Sequence, residues 1–263
     1  MSFGLTKRHK IIITSVILAV ALLSTGFMSI SFYLNYKLQI IVALLILSLV
    51  LSAWALWEGL TFLKGTILMV LPMTFTLSVT SYYFLLPTYW YLRFPVALLF
   101  GIIWYTLLLS QNVFNVSSIR TIPLYRVAST VVFVLTITTA SLLFNVIFSL
   151  HMLYIFNGLV VLALCFPLIL QLLWSVEMER VDSILAVTSL FMGIVVSQVA
   201  IALSFWPVSN AVASVMLTAV LYLVCGISMD SLRGRLSREV VWGYFRWGAP
   251  VLLLVYLTTS WTG

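Results

Sequence analysis

Residues 38–57, LQIIVALLILSLVLSAWALW, decide the class of this chain. The stretch holds 20 residues and no ionisable group. At about 1.5 Å per residue, a helix of that length matches the roughly 30 Å hydrocarbon core of a bilayer. Apart from Gln39, Ser48 and Ser52 it is apolar throughout, and it lacks the two-residue alternation of a barrel strand.

The pattern recurs outward in both directions, with apolar runs at about 11–34, 38–57, 66–87, 95–113, 127–150, 152–175, 183–206, 209–228 and 248–262. Of 263 residues, 63% are hydrophobic and 7% charged, where a soluble domain carries about 25% charged residues. Soluble, disordered, fibrous and disulfide-stapled classes are therefore excluded. The reading is an all-α membrane protein, a polytopic helical bundle of about nine transmembrane helices (eight plus a short C-terminal one). It forms a single integral membrane domain over residues 1–263. The last run spans only if residues 240–247 carry Arg246 into the interface; a re-entrant or interfacial tail is the alternative. The first run follows Lys7, Arg8 and Lys10 but exceeds the roughly 7–15 residues of a signal-peptide core, so it is expected to be a retained helix.

Charge sets the orientation. With the N-terminus cytoplasmic, Lys7, Arg8, Lys10, Lys64, Arg120, Arg126, Arg180, Arg233, Arg235, Arg238 and Arg246 lie inside, and only Lys37 and Arg93 lie outside. The positive-inside rule favours that arrangement. The net charge of +7 is thus read as a basic rim against anionic lipid at the cytoplasmic face, and not as a nucleic-acid partner. Tryptophans and tyrosines near the run ends fit the same boundaries; Trp104, in mid-span, is expected to pack against a neighbouring helix.

By these boundaries no ionisable group lies inside a span, which argues against proton- or cation-coupled transport. The last lysine, Lys64, is too early for a retinal Schiff base in a late helix. No loop has room for a nucleotide-binding unit. His9 and His151 have no catalytic companion, and Cys165 and Cys225 read as apolar packing residues. No catalytic residue, cofactor or metal site is expected. Uncharged polar groups are sparse. Ser189, Gly193 and Ser197 share a face of the seventh helix, and Asn210, Ser214 and Thr218 share one of the eighth, so these two helices are expected to meet along those stripes. The alternative is a polar seam for a substrate, formed by Asn145, Asn157, Ser197, Gln198 and Ser214. Pro72 and Pro167 are expected to kink their helices.

Three stretches on the basic side stand out. Residues 110–126, SQNVFNVSSIRTIPLYR, offer Gln111, Asn112, Asn115, Arg120 and Arg126 to a lipid headgroup or a partner protein; the same groups could serve as caps and turns. In residues 176–182, VEMERVD, Glu179 and Asp182 would share a helix face. Paired carboxylates there could hold magnesium in an enzyme of lipid diphosphates, but no second acidic motif faces them, and a solvated loop is the plainer reading. Residues 231–247, SLRGRLSREVVWGYFRW, form an interfacial amphipathic helix with Arg235, Arg238 and Arg246 on its polar face, suited to anionic lipid or a partner.

The 110–126 stretch and LSFWP at 203–207 resemble segments of uncharacterised multi-pass membrane proteins from bacteria with small genomes, the resemblance running from about residue 40 to the C-terminus. It implies a bacterial cytoplasmic membrane and carries no activity with it. The expected function is that of a non-enzymatic partner-binding or scaffold subunit of the bacterial cell envelope. A transporter or flippase for a lipid or weakly polar solute is the alternative, and a lipid-modifying enzyme comes third.

Overall fold

The computed structural model of the chain describes residues 6–28, 35–58, 61–117, 124–178 and 182–258. Among them run nine α-helices: α1 Lys7–Thr25, α2 Lys37–Leu56, α3 Phe62–Leu85, α4 Trp90–Ser117, α5 Tyr125–Ser149, α6 Tyr154–Glu177, α7 Ser183–Leu203, α8 Asn210–Leu232 and α9 Arg238–Thr258. The first eight are long and apolar enough to cross a bilayer, so the chain is a multi-pass helical membrane protein. A helix is the element that satisfies every backbone group within one segment when no water is at hand. Span hydroxyls follow the same logic: Ser52 Oγ donates to the Ser48 carbonyl at 2.6 Å and Thr76 Oγ1 to the Pro72 carbonyl at 2.9 Å.

The helices form two compact units, Met1–Val132 and Phe133–Gly263, with the boundary inside α5. In the first, α1 packs on α2 and α4, and α3 packs on the same two helices. Its core is aromatic. Trp104 is fully buried, and its ring centroid lies 6.3 Å from Phe75 and 5.8 Å from Phe100, the packing role expected of it. In the second unit α6 lies along α7, and α8 touches both and carries α9. Cys165 and Cys225 are free and buried there.

The chain turns where local chemistry permits. Met178 takes a left-handed backbone (φ 53°) and returns its N–H to the Trp174 carbonyl, closing α6. Asp182 caps α7 by accepting the Ser183 N–H at 2.7 Å, which gives this carboxylate a structural use. Glu179 and Arg180 lie outside the described residues. Gly234 (φ 65°) sits in the turn between α8 and α9, a conformation open to glycine at little steric cost.

Three expectations need correction. First, α4 begins at Trp90 and not at 95, so Arg93 falls inside its first turn. Its side chain is 4% exposed, with the guanidinium 5.1 Å from the centre of the Tyr83 ring. An ionisable group is therefore buried at a span end, where an aromatic face can receive a cation. Second, residues 231–247 are not one interfacial helix. Ser231 and Leu232 finish α8, residues 233–237 turn, and a continuous α9 from Arg238 absorbs both the amphipathic stretch and the start of the last apolar run. Third, the small-residue stripe of α7 meets α6 and not α8. A Cβ on Gly193 would lie 3.1 Å from Leu162 Cδ1, and Ser197 Oγ donates to the Gly158 carbonyl at 2.7 Å. Ser214 and Thr218 on α8 instead bond their own helix, at the carbonyls of Ala211 and Ser214.

Candidate functional site

Two polar groupings emerge, one in each unit. The first is at the basic end of the first unit, where α1 and α3 begin and α2 and α4 end. Glu58 follows α2 and receives Lys7 Nζ at 3.1 Å and Lys10 Nζ at 3.6 Å. Asn115, buried on the last turns of α4, donates its amide to the carbonyls of Glu58 at 3.0 Å and Leu56 at 3.3 Å. Its own backbone carbonyl accepts from Lys64 Nζ at 2.5 Å. A helix leaves its last carbonyls without intrahelical partners; here a side chain from another helix serves two carbonyls at the end of α2. Asn115→Leu is expected to cost about 1–3 kcal/mol, the penalty for stranding buried polar groups, measurable as a lower melting temperature in detergent.

The hydrogen bond from Lys7, then the charge of Lys7 and, more weakly, that of Lys10, hold the Glu58 carboxyl below the usual carboxylate range, against an opposing push from desolvation. A depressed folded-state pKa adds stability above the ordinary carboxylate value, and this is lost as pH falls through the lowered one. The melting-temperature gap between the native chain and Glu58→Gln should thus close on acidification, and also in high salt, because the pair is solvent-exposed.

The other expected contact residues scatter. Gln111 is fully buried, and both atoms of its amide lack a hydrogen-bond partner among the described residues. Asn112 is half-buried, and Arg126, Arg235, Arg238 and Arg246 are exposed. Arg120 lies outside the described residues. Of the polar seam, Ser197 and Ser214 are buried in packing, Asn145 is half-buried, and Gln198 is exposed on the flank of α7. These residues therefore do not border one common cavity with Asn157.

Asn157 does line a cavity, of about 400 Å³, at the end of the second unit where the connections 150–153 and 204–209 carry no Asp, Glu, Lys or Arg. The walls come from the α5–α6 turn and the α7–α8 turn. His151 has a left-handed backbone (φ 48°) in the first; Pro207 stands in the second, bracketed by the Val208 N–H donating to the Trp206 carbonyl at 2.8 Å. Asn157 Nδ2 donates to Ser204 Oγ at 3.0 Å and more weakly to the Met152 carbonyl at 3.5 Å. Ser204 donates its own O–H to the Ala200 carbonyl at 2.9 Å, so it has none left to donate to Asn157. Asn157 is 4% exposed, and its Oδ1 has no donor among the described residues. A buried acceptor left unfilled costs about 1–3 kcal/mol. The rings of Tyr154 and Phe205, both lining residues, lie with their centroids 4.7 Å apart, and Trp206 and Asn210 are also part of the lining. Sequence reasoning singled out Asn157 and the 203–207 stretch but not Tyr154, Phe205 or His151 as one grouping. The signal available was two uncharged turns bearing aromatics at the same end of the spans.

A hydrophobic multi-pass helical protein, with a polar grouping at one end of each of its two units, is the class that fold and site define. The family model described as "Protein of unknown function (DUF5656)" matches residues 13–258, and the chain belongs to that family. No curated protein and no solved structure matches the chain.

Proposed function

We propose that the chain is a non-enzymatic subunit of the bacterial cell envelope that holds a partner component at the uncharged end of its second unit. The observation that carries this reading is the Asn157 pocket: a cavity lined by a buried amide whose Oδ1 has no donor among the described residues, set between two short turns and beside exposed aromatic side chains. Support also comes from the packing beneath it. A solute path between α6 and α7 would have to part them where a Cβ on Gly158 would lie 2.5 Å from Ile201 Cγ1. Polar side chains there, such as Ser197, are spent on helix contacts. The positive-inside rule favours an orientation with this end outside the cytoplasm.

Purification of the tagged chain from its native membrane in mild detergent tests the reading. A component retained in fixed ratio by the native chain and lost from Asn157→Leu is the expected result. Recovery of both as the bare chain overturns it, and solute uptake by proteoliposomes holding this chain alone would favour transport instead.

A further inference from the structure

We infer that the Asn157 pocket takes a neutral saccharide, one or two pyranose rings carried by a glycan or a glycolipid headgroup. The inference rests on the partner-holding reading above and narrows its ligand. Charge decides first. None of the 13 residues lining the pocket is Asp, Glu, Lys or Arg. A phosphate, carboxylate or ammonium group would give up water at the edge of a low-dielectric slab without meeting an opposite charge, and that is costly.

The polar groups decide next. Asn157 Oδ1 requires a donor, while Ser204 Oγ, already donating to Ala200, offers a lone pair. The His151 ring and the Asn210 amide, also in the lining, can each donate and accept. A ligand serving all of them needs groups that do both, which hydroxyls do and an acyl chain does not. The aromatics set the remaining requirement. Phe205 is 68% and Tyr154 42% exposed although their rings touch, so aromatic surface stands open in the same lining as the polar groups. A pyranose matches this pairing, with C–H groups over its faces and hydroxyls round its rim. The volume of about 400 Å³ lies near the lower end of small-molecule sites, roughly 300–1,000 Å³, which suits one or two rings.

The test uses the full chain in phospholipid nanodiscs free of sugar detergent, observed by saturation-transfer difference NMR. Soluble probes are N-acetylglucosamine and its β1,4-linked disaccharide, with glucuronate, glucosamine 6-phosphate and acetyl-trialanine amide alongside. A second set of discs contains monoglucosyl diacylglycerol as a competitor. Transfer to ring C–H protons of the neutral sugars is expected, about tenfold weaker in affinity for Asn157→Leu, the effect of one lost hydrogen bond. Phe205→Ala, at an exposed side chain, should weaken binding without disturbing the fold, and Asn145→Ala should leave it unchanged. Competition by the glucolipid assigns the sugar to a lipid headgroup; binding without competition assigns it to a free glycan. Transfer only to the charged sugars or the peptide, no transfer to any probe, or equal transfer in Asn157→Leu and Phe205→Ala overturns the inference. If a partner still co-purifies in an Asn157-dependent way while no sugar binds, the saccharide falls and the subunit reading stands. If sugar binds and no partner co-purifies, the saccharide stands and the subunit reading falls.

Discussion

Replacing Gly226 with valine is expected to release α9 from α8 and to cause one of the largest losses of stability of any single substitution in the second unit. A Cβ at Gly226 would lie 2.3 Å from Tyr244 Cε1, 2.8 Å from Cζ and 3.0 Å from Cδ1. These are ring atoms, and the ring also rests against Tyr222 at a centroid distance of 5.5 Å, so it has no easy rotation that clears a branched side chain. Its hydroxyl donates to Asp230 Oδ2 at 2.7 Å, and the other carboxylate oxygen of Asp230 lies 4.0 Å from Arg233 Nη1. Valine thus imposes two penalties: overpacking of about 1–3 kcal/mol and loss of a charge-assisted hydrogen bond of about 1.5–3 kcal/mol. Because both act on Tyr244, they are coupled and will not simply add. Tyr244→Phe should show the hydrogen-bond part alone. Gly226→Val should melt lower than Tyr244→Phe and be cut faster by protease in the 233–237 turn. Gly226→Val combined with Tyr244→Ala should be no worse than Tyr244→Ala. Native-like melting of Gly226→Val would show that the ring does not rest on this glycine.

The class of the protein was legible because it depends on a sum. A predominantly apolar stretch of about twenty residues has one low-energy solution in a bilayer, whatever its order, so the helices were readable from 38–57 and its repeats. Boundaries were less so, because the hydropathy that marks a span does not mark its last turns. Trp90–Phe94 is helical although Arg93 interrupts the apolar run, since the guanidinium finds the Tyr83 face, a partner that only the fold supplies. Helix pairing was the least legible. A stripe of small residues indicates that something approaches closely and leaves the partner open; Ser189, Gly193 and Ser197 fit α6 as well as α8 until Gly158 is seen opposite. The same holds at the sites. Asn115 reads as one amide of a polar loop, yet α4 extends to Ser117 and places it against the end of α2. Asn157 reads as one intramembrane amide among several, and only the meeting of two turns sets Ser204 against its Nδ2 and leaves its buried Oδ1 without a donor among the described residues.

Gly158→Val should act on packing and binding together. The new side chain would begin 2.5 Å from Ile201 Cγ1, 2.7 Å from Cδ1 and 3.2 Å from Ser197 Oγ, so α6 and α7 must separate. Their separation breaks the hydrogen bond from Ser197 Oγ to the Gly158 carbonyl. Overpacking costs about 1–3 kcal/mol, and an interhelical hydrogen bond in a membrane adds about 0.6 kcal/mol on average. The pocket feels the same displacement. Asn157 precedes Gly158 in the chain, and Ser204 lies about one turn beyond Ile201, so the seam sets the 3.0 Å contact that orients the Asn157 amide. Gly158→Val is therefore expected to weaken whatever binds at Asn157 although residue 158 does not line the pocket. Ile201→Ala supplies the control, since it removes the two atoms nearest the new side chain. If steric pressure on the seam is the cause, Gly158→Ala paired with Ile201→Ala should recover both melting temperature and binding relative to Gly158→Ala, and a double-mutant cycle should give a favourable coupling of about 0.5–3 kcal/mol. Additive losses in that cycle would mean that Gly158 acts through its own backbone and not through the face it offers to α7.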